Sequence, residues 1–108
     1  MNGKMWTIAA LVLAGAVPLT ARAEGDKKIE RLWKGKCAGC HGLDGKGQTD
    51  QGKKLGVKDY TTPEWQKSRT DEQIKTAIVE GAKGMDPYKD KLTPDQIDGL
   101  VAYVRALK

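Results

Sequence analysis

Along the chain, apolar positions recur at helical spacings, and no stretch alternates as a half-buried strand would. Ile29, Leu32, Trp33 and Cys37 fall at i, i+3, i+4 and i+8, one face of a helix that runs into Cys37 and Cys40. Thr70-Asp71-Glu72-Gln73 has the form of a capping box, and Ile74, Ala77 and Ile78 supply the apolar face behind it. Gly81 and Gly84 stop that helix, and Lys83 to Tyr88 is irregular. A second capping box, Thr93-Pro94-Asp95-Gln96, carries proline at the first helical position, where its missing N–H costs nothing. Ile97, Leu100, Val101, Val104 and Leu107 then mark the buried face of a C-terminal helix. Glycines 42, 45, 47, 52 and 56 lie among polar residues and predict a long loop that wraps something. The expected fold is all-α, three main helices plus loops, with no internal repeat.

The N-terminus has a different pattern. Lys4 is followed by an apolar run from Met5 to Val17, and Ala21-Arg22-Ala23 ends the segment with small residues spaced A-x-A. These are the parts of a cleaved signal peptide, residues 1–23. The run is well short of the roughly 20 residues a spanning helix needs, so no permanent membrane anchor is expected. Residues 24–108 would form a single domain in an exported, periplasmic protein, where cysteines meet an oxidising environment.

Composition narrows the chemistry. The chain has 108 residues, 39% of them hydrophobic, 6% aromatic and none Phe, so it holds one small domain with little core of its own. Such domains need a staple or a buried cofactor. Two cysteines and one histidine exclude a four-ligand zinc site. The net charge of +5 includes Lys4 and Arg22 of the leader, and the remaining +3 is too balanced for nucleic-acid binding.

Cys37-Ala38-Gly39-Cys40-His41 is the attachment pattern of c-type haem. Two thiols about one helical turn apart can form thioethers to the two vinyl groups on one edge of the macrocycle, and the next residue then places an imidazole beneath the iron. A thioredoxin-like dithiol needs a preceding strand and a βαβ context, which the helical pattern does not offer. A disulfide across two residues closes too short a loop to staple the domain. Neither accounts for the chain's one histidine directly after the second cysteine. His41 takes the proximal iron position. The distal position falls to Met85, the one methionine beyond the leader, set in a glycine-flanked irregular segment; a lysine would first have to lose its proton. If Met85 does not reach the iron, the alternative is a five-coordinate haem protein that binds a gas or peroxide.

These motifs resemble those of the class I c-type cytochromes, the small soluble single-haem type of the bacterial periplasm. Trp33, four residues before Cys37, matches the aromatic that in this family packs on the C-terminal helix, here at Leu100 and Tyr103. Where the family often has glycine four residues before that aromatic, this chain has Ile29. Where many relatives have proline directly after methionine, Asp86 intervenes, Pro87 comes second, and Tyr88 keeps an aromatic at the third position. In the family a proline carbonyl soon after the histidine often accepts its Nδ1–H. No proline follows here before Pro63, which leaves that acceptor unassigned. Tyr60 and Trp65 serve either as donors to haem propionates, as in similar cytochromes, or as plain packing.

The resemblance implies a one-electron carrier with one covalent haem c and no enzymatic turnover. It implies a monomer that meets redox proteins or membrane respiratory complexes through an exposed haem edge and does not bind nucleic acid. Lysines 34, 36, 46, 53, 54, 83, 89 and 91 either steer acidic partners to that edge or form an ordinary solvated surface, with Asp44, Asp50, Asp86 and Asp90 interleaved. Gly47 to Lys54 falls short of a phosphate-binding loop, with neither the Ser/Thr nor the strand that such a loop requires.

Overall fold

A computed structural model describes residues 19–108, with side chains from Gly25 onward. The apolar run and early lysine of the expected leader lie outside the described residues. Six α-helices are present among those described: α1 (Leu19–Leu32), α2 (Ala38–His41), α3 (Asp50–Leu55), α4 (Pro63–Ser68), α5 (Asp71–Glu80) and α6 (Pro94–Ala106). The only strand-like pairing among them is a single bridge between Ala82 and Met85. The all-α expectation holds, and α1, α5 and α6 are the three main helices. Helices α3 and α4 are additions to it. At six residues each they span under two turns, too short to display a period, and their signal is in their caps. Thr49 accepts from Gly52 N and Thr62 from Trp65 N, with Pro63 opening α4 and Gly56 closing α3 at φ 69°.

Both predicted capping boxes form. Thr70 and Gln73 exchange bonds of 2.9 and 3.1 Å at the start of α5, and Thr93 and Gln96 exchange bonds of 2.9 and 3.2 Å at the start of α6. The helices they launch bury Ile74 and Ile78 from α5 and Ile97, Leu100, Val101 and Val104 from α6, joined by Trp33 and Leu92 in one core.

Between α1 and α2 the helix widens into a π turn over Trp33–Cys37. In an unbroken α-helix, a residue eight positions on lies about 80° further round, so His41 would turn away from the face of Trp33. The π turn takes one more residue per hydrogen-bonded ring and offsets much of that drift. Trp33, Cys37 and His41 accordingly line one cavity, and the Trp33 and His41 rings lie 5.6 Å apart.

Helix α1 crosses α6 closely in spite of Ile29. The glycine has changed sides: a Cβ on Gly99 of α6 would lie 2.5 Å from Ile29 Cδ1 and 2.8 Å from its Cγ1. Ile29 is thus a knob seated on the bare backbone of Gly99. Trp33 follows one turn later, its ring 5.1 Å from that of Tyr103.

Candidate functional site

Helix α2 is one turn long, and its carbonyls are satisfied from the loop that follows. Gly42 adopts φ 83° and stops the helix, donating back to Ala38 O at 2.9 Å. Gly47 N donates to His41 O at 2.8 Å, Thr49 Oγ1 to Cys40 O at 2.9 Å, and Trp33 Nε1 to Gly42 O at 2.9 Å. Helix α3 lies against this turn so closely that a Cβ on Gly52 would collide with the Cys40 carbonyl oxygen and stand 2.5 Å from that of Gly47. The glycine loop therefore splints the Cys37–His41 segment.

Met85 is built on a tight hairpin. Its N–H donates to Ala82 O at 2.8 Å, and Ala82 N–H returns a bond of 3.2 Å. Gly84 supplies the positive φ of 78° at the third position of that turn, and the Leu55 side chain packs on its bare Cα. Gly81, at φ 80°, lets the Met85 carbonyl pass where a Cβ would come within 2.7 Å of it. Tyr88 N–H donates to Ile78 O at 3.0 Å, tying the end of the segment to α5, and the Tyr88 hydroxyl approaches Lys36 O at 3.4 Å. Asp86 faces solvent, 3.9 Å from Lys91 Nζ.

The two segments face one cavity of about 330 Å³, lined by Cys37, His41 and Met85 together with apolar and aromatic side chains from α5 and α6. Cys40 is half-buried and is not among the residues that line it, and neither cysteine is in a disulfide. Burial pushes the Cys37 thiol up to about 11 against the opposing pull of Lys36. That is the reverse of a dithiol oxidoreductase, whose attacking thiol has a lowered pKa. Burial also holds His41 below the ordinary histidine value, hence neutral, the form in which imidazole binds metal. His41 Nδ1 is buried with no hydrogen-bond partner, so no proline carbonyl, and no other acceptor among the described residues, takes the expected place.

On the same wall Tyr60 lies between His41 and Trp65, with ring separations of 5.0 and 4.1 Å. Burial raises the Tyr60 hydroxyl pKa, and the charge of Arg69 opposes this. Lys58 and Arg69 also line the cavity, two cations that reading by motif did not single out. Only their place beside Tyr60 and Trp65 in the chain hinted at it. The eight lysines are all exposed. Among the described residues two are in ion pairs, Lys34 with Glu30 and Lys91 with Asp86.

Residues 24–104 match the family described as cytochrome c oxidase, cbb3-type, subunit III. The chain belongs to the class I c-type cytochromes. It is 30% identical over 101 residues to a cytochrome c6-like protein of Nostoc sp., covering 94% of this chain and 87% of that one. It is 33% identical over 96 residues to the cbb3-type cytochrome c oxidase subunit FixP of Azorhizobium caulinodans, covering 88% of this chain. This chain spans 31% of that subunit's length. Among solved structures, the c-type cytochrome KustC0563 superposes with a TM-score of 0.69 at 41% identity, over 73% of this chain and 95% of that one.

Membership makes the chain a haem-based electron carrier with covalently bound haem c. The described residues fit that group: the Cys37 thiol, the neutral His41 imidazole and the Met85 thioether line one largely apolar cavity, and the uncrosslinked Cys40 thiol follows Cys37 three residues on in the chain. No helix of the described residues is long and apolar enough to cross a membrane.

Proposed function

We propose that this cytochrome is an exported, periplasmic one-electron carrier in which Cys37 and Cys40 hold the haem as thioethers and His41 and Met85 take the two axial positions. The observation that carries this reading is that His41 and Met85, on separate segments far apart in sequence, line the same cavity as Cys37. Held by these four residues, the haem would supply a one-electron couple at its iron. His41, neutral through burial, presents a nitrogen lone pair, and Met85 presents a soft sulfur that favours the reduced state over a second imidazole. The two backbone hydrogen bonds of the Ala82–Met85 hairpin and the splint on α2 would hold both ligands in place as the charge changes, so that little reorganisation accompanies transfer.

The family match begins at Glu24, the residue after the expected cut, which supports removal of residues 1–23. Six of the eight lysines are without ion pairs among the described residues, which favours a field that draws acidic redox partners, either soluble proteins or membrane respiratory complexes. The monomer docks transiently and performs no turnover of its own. The test is an absorption spectrum, in both oxidation states, of the full chain matured in a host that attaches haem. The oxidised protein is expected to show the far-red sulfur-to-iron band, and Met85→Ala to lose it. A wild-type protein without that band that binds carbon monoxide when reduced would be a five-coordinate haem protein instead.

A further inference from the structure

Arg105, in the last turn of α6, is bound to three residues around the corner between α4 and α5. Its Nε donates to Asp71 Oδ1 at 2.6 Å, its Nη1 to Gln66 O at 2.6 Å and Gln66 Oε1 at 3.2 Å, and its Nη2 to the Arg69 carbonyl. Gln66 extends the network, its Nε2 donating to Tyr60 O at 2.7 Å and to Val104 O at 3.0 Å. The pair with Asp71 is exposed on the carboxylate side and adds little. The bonds to carbonyls are different: they fix the backbone between the end of α4 and the start of α5. Arg69 lies on that strip and Trp65 in the helix that leads into it, and with Tyr60 they line the cavity. The Arg69 carbonyl is engaged by Arg105, while Arg69 itself lines the cavity, where its charge acts on Tyr60.

We infer that Arg105 is a positioning residue for the haem pocket: through Gln66 and the Arg69 carbonyl it holds the 66–69 corner closed and the Arg69 guanidinium at the cavity. The inference rests on the carrier reading above. Its consequence for the cytochrome is electrostatic. A fixed cation beside the haem disfavours the oxidised state, which carries one more positive charge, and a closed wall keeps out the water that would stabilise that charge. Both effects act in the same direction, so loosening the corner lowers the reduction potential.

Arg105→Lys keeps the charge but loses the planar fork that reaches several acceptors at once. In the haem-loaded full chain, this variant is expected to exchange the amides of 66–70 faster and to have a lower reduction potential than wild type. Arg69→Gln is expected to lower the potential also, and the double variant to fall short of the sum of the two single shifts, since part of the Arg105 effect passes through the Arg69 charge and only the closing of the wall is left to it without that charge. Gly99→Val, which strains the distant α1–α6 crossing, serves as the control that lowers thermal stability without moving the potential. If Arg105→Lys accumulates poorly, Gln66→Met removes the side-chain half of the same network and is expected to act in the same direction. An Arg105→Lys protein that is less stable but has the wild-type potential overturns the inference, and so do shifts that add in the double variant. A wild-type chain that takes up no haem overturns the carrier reading itself.

Discussion

Replacing Gly99 by valine tests the helix crossing on which the core is built. An alanine Cβ at this position already stands 2.5 Å from Ile29 Cδ1 and 2.8 Å from Cγ1, against about 3.5–4.0 Å for a relaxed carbon contact. Ile29 is β-branched and stiff in a helix, so it cannot simply swing aside. Overpacking of this kind costs about 1–3 kcal/mol. Against it stands the better helix propensity of the new residue: about 1 kcal/mol for alanine, which nearly cancels the strain, but only a few tenths for valine, which also brings two more methyl groups. Gly99→Ala is therefore expected to be close to neutral and Gly99→Val to destabilise by about 2 kcal/mol. In a domain of this size that lowers the midpoint by roughly 8–16 °C. Thermal unfolding of the haem-loaded protein, followed by far-UV circular dichroism, reads the shift. Ile29→Ala clears the contact, and the Ile29→Ala, Gly99→Val pair should show a coupling of about 1 kcal/mol or more in a double-mutant cycle. A Gly99→Val protein that melts at or above the wild-type temperature, or whose loss Ile29→Ala does not relieve, would refute the knob-on-glycine account.

Gly52→Ala places a methyl group on the Cys40 and Gly47 carbonyl oxygens, which are backbone and cannot yield cheaply; haem attachment per chain, measured from the absorbance ratio, should fall. Thr93→Ala removes the hydroxyl that accepts from Gln96 N and should cost about 1 kcal/mol in denaturant unfolding, while Thr93→Asp should restore it. The Asp59 carboxyl accepts from both the hydroxyl and the N–H of Thr61, which holds it below the ordinary value of 3.8. Its contribution is present above that value and is lost as pH falls through the depressed one, so Asp59→Asn should flatten the acid limb of a stability–pH profile. The Cys37→Ala, Cys40→Ala chain, unable to hold haem covalently, should be largely disordered, and dispersed, protected amides in its NMR spectrum would show that the polypeptide core suffices by itself.

The cofactor class and the local structure were legible in the residues themselves. The C-x-x-C-H run names its cofactor because thioether attachment and proximal ligation need those groups at that spacing within five residues. The Thr-x-x-Gln boxes start α5 and α6 wherever those helices end up, because a cap satisfies amides only three residues away. The apolar faces of α5 and α6 were legible for the same reason. Short helices α3 and α4 were not, since six residues show caps but no period. What the tertiary structure alone decided involves residues distant in sequence. A glycine expected on α1 is found on α6, and only the packed pair shows that Ile29 and Gly99 together do what a glycine at position 29 would do. The π turn at Trp33–Cys37 leaves no mark in the residue types, yet it aligns His41 with Trp33 and Cys37. Arg105 looks like any C-terminal helix cation until Gln66, Arg69 and Asp71 are seen around it. Local signals follow from bonds a few residues long, whereas a cavity exists only once long-range burial has brought its walls together.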